Sequence, residues 1–310
     1  YVVEHYYQES VNYATTTELT TTRTGTVGTT VYVTEEDKNP TKEGYVLDEK
    51  YAGKIFSGEV LADGSLILKV YFKKQLTVVY DKGTQGTFEN ETYTVNYGDP
   101  NPEFKGNTTG NTGYYFSRWD KSFVDKVTEN ITYVAIWEGL NIEKSRTEIV
   151  DKDNLGNITY VDQEGDIIKY TIKVTNIGDE KATGISITDD HPVKVTSVKI
   201  AGTIIDISNR ATNEFAAREN LLKDLTVIID KGETIEVAVE YTVTATEVTK
   251  ALATTNKVIL NTATATLNGN NYIATDKTHG KDGTDVKQRC EYRIEYYYNG
   301  ELGTANDDVI

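Results

Sequence analysis

The stretch Ile168-Lys169-Tyr170-Thr171-Ile172-Lys173-Val174-Thr175 puts an apolar or aromatic residue at every even position and a polar one at every odd position. Successive side chains of an extended chain point to opposite faces, so this is a strand with one dry side and one wet side. Thr234 to Val243 repeats the pattern with Ile235, Val237, Val239, Tyr241 and Val243 on one face, and Leu66, Leu68, Val70 and Phe72 form a third case. Period two in this many segments predicts one-sided antiparallel sheets. Composition agrees, because 22 Tyr stand beside abundant Thr, Val and Ile, residue types that suit a pleated, half-buried surface. Helix is expected only near Asn213 to Leu225, where Phe215, Leu221 and Leu222 support a short surface helix. The expected fold class is all-β, a tandem array of small β modules.

The chain's 310 residues correspond to two or three domains at roughly 100–200 residues each. Lys and Arg number 32 against 48 Asp and Glu, a net charge of −16. That balance repels nucleic-acid phosphates and anionic lipid headgroups, so neither nucleic acid nor a membrane is expected as a partner. Only 4 Pro are present, which excludes a collagen-like or proline-rich chain. No apolar run approaches the ~20 residues of a membrane-spanning helix. The single Cys290 forms no intrachain disulfide, so an exported chain needs another staple. Three His, one Cys and no Met leave little material for a metal site or a thiol nucleophile. No G-x-S-x-G, H-E-x-x-H or phosphate-cradling Gly loop occurs. No cofactor, no metal and no enzymatic turnover are expected.

Tyr1-Val2-Val3-Glu4-His5-Tyr6-Tyr7 returns as Tyr292-Arg293-Ile294-Glu295-Tyr296-Tyr297-Tyr298, an aromatic pattern too long for easy coincidence. The second copy breaks off at Ile310, so the chain is expected to be cut from a longer array. The strand Glu291 to Asn299, lacking its own sheet, is expected to be disordered or to pair with an exposed edge of a neighbouring chain. Turn-rich or charged joints divide the chain into residues 1–75, 76–138, 139–288 and the partial repeat 289–310. Asp37 to Gly44 and Gly106 to Gly113 read as polar loops within the first two modules. Asp276 to Asp285, with two Gly and alternating charges, reads as an exposed loop or linker.

The first module, with Tyr1 to Tyr7, Gly25-Thr26-Val27-Gly28 and Ala62-Asp63-Gly64-Ser65-Leu66, resembles the mucin-binding-protein (MucBP) repeat of Gram-positive surface proteins. The second, with Gly113-Tyr114-Tyr115-Phe116-Ser117-Arg118-Trp119 and Tyr133 to Trp137, resembles an internalin B-type repeat of the β-grasp kind, with Arg118 where that family usually has Gly. The third carries Gly165-Asp166, Val174-Thr175-Asn176-Ile177-Gly178, Ile185 to Asp189, Lys231-Gly232-Glu233-Thr234 and Asn261 to Thr266 in order. It is similar to the Ig-like conserved-repeat domain of bacterial surface proteins, a relative of isopeptide-forming fimbrial domains. These resemblances imply two β-grasp-like modules and an Ig-like sandwich in an extracellular stalk or adhesin on a bacterial cell wall. They imply host mucin, glycans or extracellular matrix as partners, with the neighbouring modules of the same chain.

Parity singles out three residues. The apolar positions of Leu140-Asn141-Ile142-Glu143-Lys144 are even, so Lys144 points inward. Those of Ile185 to Asp189 are odd, as are Ala263, Ala265 and Leu267, so Asp189 and Asn261 point inward too. A buried unpaired charge costs several kcal/mol, so each group needs a partner or must lose its charge. One resolution is covalent: a desolvated, neutral Lys144 attacks the Asn261 amide while a protonated Asp189 polarises it, leaving an isopeptide bond between the module's first and last strands. The resemblance implies the same roles, since fimbrial relatives place Lys, acid and Asn in this order. The other resolution is an ordinary hydrogen-bonded ion pair near the strand ends. Glu240 is an alternative acid, although it lies on the polar face of its strand.

Asp151 to Asp162 places acids at positions 1, 3 and 12 and Gly at 6 of a calcium-loop pattern, but Leu155 stands where an oxygen ligand is needed, so it reads as a hairpin turn. Tyr6, Tyr7, Tyr13, Tyr32, Tyr45, Tyr51 and Tyr71 crowd the first module; exposed rings stack on sugars, but most are expected to fill the core and cross-strand pairs. His5, His191 and His279 are scattered strand or loop residues, and Cys290 is an incidental thiol.

Overall fold

The computed structural model of the chain describes residues 1–14, 17–153, 158–278, 281–288, 297–298 and 301–302, and nearly all regular structure among them is strand. Two units divide the chain, Tyr1–Glu138 and Gly139–Ile310.

The first unit holds β1 (Val2–Tyr7), β2 (Leu19–Thr22), β3 (Thr30–Tyr32), β4 (Tyr45–Leu47), β5 (Ser57–Glu59), β6 (Ile67–Asp81), β7 (Glu91–Asn96), β8 (Tyr114–Trp119) and the start of β9 (Ile131–Val150). β1 lies antiparallel to β2 but parallel to β6, aligning Val3 with Leu68 and His5 with Val70. Further along, β6 pairs antiparallel with β7 and parallel with β9, aligning Val78 with Ile131. The two parallel pairs depart from the expected antiparallel sheets. In each half the closing strand returns beside the opening strand in the same direction, which requires a crossover rather than a hairpin.

β6 also runs unbroken through residue 75, where a turn-rich or charged joint was expected, and β9 continues through Gly139. The run Lys73-Lys74-Gln75-Leu76 holds neither Gly nor Pro to interrupt pairing, so one strand serves both halves. Separate apolar clusters flank that strand: Val3, Tyr7, Val33, Leu68, Val70 and Phe72 on one stretch, and Leu76, Val78, Tyr80, Val127 and Tyr133 on the next.

The second unit continues β9 and adds β10 (Ile167–Asn176), β11 (Ala182–Thr183), β12 (Ser186–Asp189), β13 (Val193–Ile200), β14 (Thr203–Ile205), β15 (Glu214–Phe215), β16 (Ile228–Ile229), β17 (Thr234–Thr242), α1 (Ala245–Leu252), β18 (Val258–Ile259), β19 (Thr262–Leu267), β20 (Asn270–Thr275), β21 (Lys277–Thr278), β22 (Lys281–Asp282) and β23 (Thr284–Asp285); β24 (Tyr297–Tyr298) and β25 (Glu301–Leu302) form a final small pair. One sheet has the order β14-β13-β17-β10-β9 and the other β12-β19-β20. Ile168, Tyr170, Ile172 and Val174 from β10, with Ile235, Val237, Val239 and Tyr241 from β17, share one core with Ile187, Ala263, Ala265 and Leu267 of the second sheet. The alternating residues thus fill a sandwich interior.

Two expectations are corrected here. The only α-helix among the described residues is α1, not Asn213 to Leu225. Thr244 caps α1, and Glu247 reaches back to complete a capping box, a local signal stronger than the apolar spacing near Leu221. Phe215, Leu221 and Leu222 are buried, but in a short strand and turns. Asp276 to Asp285 is not simply an exposed linker: Asp276 and Thr284 are fully buried, and β23 pairs with β18. The Asp276 carboxylate accepts from Arg146 N at 3.2 Å and Thr284 Oγ1 at 3.3 Å, which satisfies a group the sequence pattern assigned to solvent.

Candidate functional site

Lys144 sits in β9 opposite Ile172 of β10. Its strand carries a bulge between the partners of Lys169 and Tyr170, leaving Thr147 as the extra residue. An extra residue flips side-chain parity beyond it, so Lys144 is inward at an even position and Ile149 inward at an odd one. Asp189 is the last residue of β12, and Asn261 immediately precedes β19. Asn261 therefore heads the strand before β20 rather than the unit's last strand.

These three side chains meet in the dry core. Lys144 Nζ donates to Asp189 Oδ2 at 2.5 Å and to Asn261 Oδ1. The Lys144 side chain is 0% exposed and that of Asp189 1%. The ammonium nitrogen also lies 4.7 Å from the centre of the Tyr170 ring. Burial lowers the Lys144 pKa, only partly opposed by the Asp189 charge, and burial raises that of Asp189 against the pull of Lys144 and the His191 backbone N–H. Both shifts move the pair toward an amine facing a carboxylic acid, the neutral exchange of one proton. The Asn261 amide nitrogen is buried without a hydrogen-bond partner among the described residues. An amine nitrogen against an amide oxygen, beside an acid, among side chains buried from solvent, can undergo acyl transfer onto nitrogen.

Glu240 stays outside this group, 3.8 Å from Lys169 Nζ at the surface. Two further groups escaped the sequence reading. Asp276 lies buried behind Tyr170, whose hydroxyl meets Thr284 Oγ1 at 3.4 Å, and its charge reaches Lys144. His191 is no isolated loop residue, because its ring joins Asp190 and Glu247. The run Asp189-Asp190-His191 was the available signal.

Elsewhere, the Asp151 to Asp162 segment is described only in part; there Asp151 Oδ1 accepts from Asp153 N at 2.6 Å. His279, Cys290 and most of Glu291 to Asn299 lie outside the described residues. In the first unit Tyr6, Tyr7 and Tyr71 are buried, with Tyr6 stacked on Tyr71 at 4.7 Å, whereas Tyr32 and Tyr51 are exposed. His5 is buried against Phe72, and neither ring nitrogen has a hydrogen-bond partner.

No family model matches the chain, and no curated protein matches it. Among solved structures it is similar to the full-length major pilin SpaD from Corynebacterium diphtheriae, at 15% identity and a TM-score of 0.30, covering 66% of this chain and 64% of that one. It is also similar to the full-length RrgB pilus protein from Streptococcus pneumoniae, at 12% identity and a TM-score of 0.27, covering 86% of this chain and 48% of that one. The chain thus spans less than two thirds of the length of either.

Proposed function

We propose that this chain is a structural, non-enzymatic segment of a bacterial cell-surface stalk, stapled by a self-formed isopeptide bond between Lys144 and Asn261. The observation that carries the reading is the Lys144 nitrogen held between the Asp189 carboxyl and the Asn261 carboxamide with no access to water. Neutral Lys144 Nζ attacks Asn261 Cγ; the Cγ–Nζ bond forms, the Cγ–Nδ2 bond breaks, and ammonia leaves. Asp189 polarises the amide oxygen through its proton, takes the proton lost by the amine and passes one proton to the departing Nδ2, ending protonated as it began. The reaction happens once per chain and does not turn over.

The staple joins β9, where the chain enters the second unit, to the start of β19. It suits a load-bearing chain whose one Cys supplies no intrachain disulfide. On this reading residues 1–75 are a MucBP-like module, 76–138 an internalin B-type repeat and 139–288 the Ig-like module, on a Gram-positive cell wall. The test is intact mass and denaturing-gel mobility of the purified chain beside Asn261→Ala. The wild-type chain should be one ammonia lighter than its sequence and migrate faster than the variant; a full sequence mass overturns the reading.

An adhesin that takes mucin or host glycans through the first unit is the alternative, and the exposed Tyr32 and Tyr51 rings favour it. Glycan-array binding by the intact chain, lost in a Tyr32→Ala/Tyr51→Ala double variant, would select it.

A further inference from the structure

The residue after the acid and the residue after the amide are locked to each other. Asp190 N donates to Thr262 O at 3.0 Å, and Thr262 N donates back to Asp190 Oδ1 at 2.8 Å. This reciprocal pair fixes the backbone beside Asn261 against the backbone beside Asp189. The same Asp190 oxygen meets His191 Nδ1 at 2.7 Å, while His191 Nε2 meets Glu247 Oε1 at 2.8 Å. His191 also donates its backbone N–H to Asp189 Oδ1 at 3.1 Å. Its ring packs on Tyr241, with centroids 4.6 Å apart. Glu247 is anchored in turn, since Thr244 N and Oγ1 donate to its other oxygen at 3.2 and 2.8 Å. A continuous set of contacts therefore runs from the first turn of α1 to both the acid and the amide of the triad.

An imidazole between two carboxylates can donate to both only when it carries two protons; the neutral ring serves one and releases the other. We propose that Asp190, His191 and Glu247 are positioning residues for the Lys144–Asn261 crosslink, holding Asp189 and Asn261 in register only while His191 is protonated. The inference rests on the isopeptide reading and supplies its regulation. The groups facing His191 are the carboxylates of Asp190 and Glu247, the Asp189 carboxyl and the Tyr241 ring. Burial disfavours the imidazolium, but the hydrogen bond and charge of Asp190, with the charge of Glu247, outweigh it, so the folded-state value lies above the ordinary 6.5. A raised value means the clamp is fully engaged below pH 6.5 and is lost as pH rises through the folded-state value.

The experiment follows crosslinking in freshly translated full-length chain, by gel mobility and ammonia loss, from pH 5.5 to pH 9. A misplacement on the order of 1 Å costs up to ~10²-fold in rate, so His191→Gln should slow the reaction at least ~10-fold at pH 6. It should also abolish the decline that the wild type shows as its histidine deprotonates. Glu247→Gln removes one of the two charges facing His191 and should move that decline to lower pH. Asp190→Ala, checked for folding by its melting transition, should be the slowest of the three. A wild-type chain that loses no ammonia at any pH overturns the isopeptide reading and this inference with it. A wild-type chain that crosslinks, with His191→Gln matching it in rate and pH profile, overturns the inference alone.

Discussion

Each unit sets a cation beside a buried aspartate, and the two pairs shift in opposite directions. In the first, Arg23 Nη1 and Nη2 grip Asp37 Oδ2 and Oδ1 at 2.6 and 2.7 Å, and Thr34 N and Oγ1 donate to the same carboxylate at 2.8 and 2.9 Å. Burial alone would raise the Asp37 pKa, but these donors hold it below the ordinary value, and the Arg23 value is raised by the hydrogen bond to Asp37. The pair stays ionic. In the second unit Lys144 and Asp189 shift the other way. Arg23 remains 23% exposed, whereas the Lys144 side chain is 0% exposed. A guanidinium does not surrender its proton and meets a carboxylate in a two-point fork; a buried amine can surrender it. The first arrangement is a static tie; the second, on the reading proposed above, leaves a nucleophile.

That contrast breaks most visibly at the staple. Asn261→Ala, which on the proposed reading removes the cross-link, should cost about 2–5 kcal/mol of second-unit stability, the range for removing a native disulfide, measured by urea denaturation of the purified chain. Lys144→Arg should be worse than Lys144→Met, because the arginine strands a fixed charge where the amine could lose its own. Next in size, Asp37→Ala should cost the first unit about 2 kcal/mol through the charge-assisted hydrogen bonds lost, leaving the second unit's transition in place.

A smaller effect sharpens the role of burial. His5 has no hydrogen-bond partner on either ring nitrogen, and burial lowers its pKa below 6.5. The unfolded chain therefore binds its proton first, and first-unit stability should fall as pH drops from 6.5 through the folded-state value. A pH series of melting temperatures on His5→Phe should lack that decline. Smallest of all, Thr244→Ala should cost about 1 kcal/mol, through loss of the α1 cap, and lower only the second unit's melting temperature.

Much of this architecture was legible in alternation. The buried faces of β10 and β17 could be read residue by residue, as could the inward direction of Lys144, Asp189 and Asn261. The capping pair Thr244 and Glu247 was equally visible and lost out to an apolar spacing near Leu221 that the sandwich uses without a helix. Asp276 was misplaced because Gly and charge runs mark loops on average, while here the fold closes over the carboxylate and supplies its donors. The bulge at Thr147 had no signature in the sequence.

Side-chain direction within a strand is a local property of an extended backbone, so the sequence by itself determined an acidic, all-β chain and which of its polar residues turn toward a dry interior. Which strands become neighbours is settled by long-range packing between sheets. Only the tertiary structure therefore decided that β1 and β6 run parallel, that Lys144, Asp189 and Asn261 converge on one point, and that His191 stands between Asp190 and Glu247 beside them.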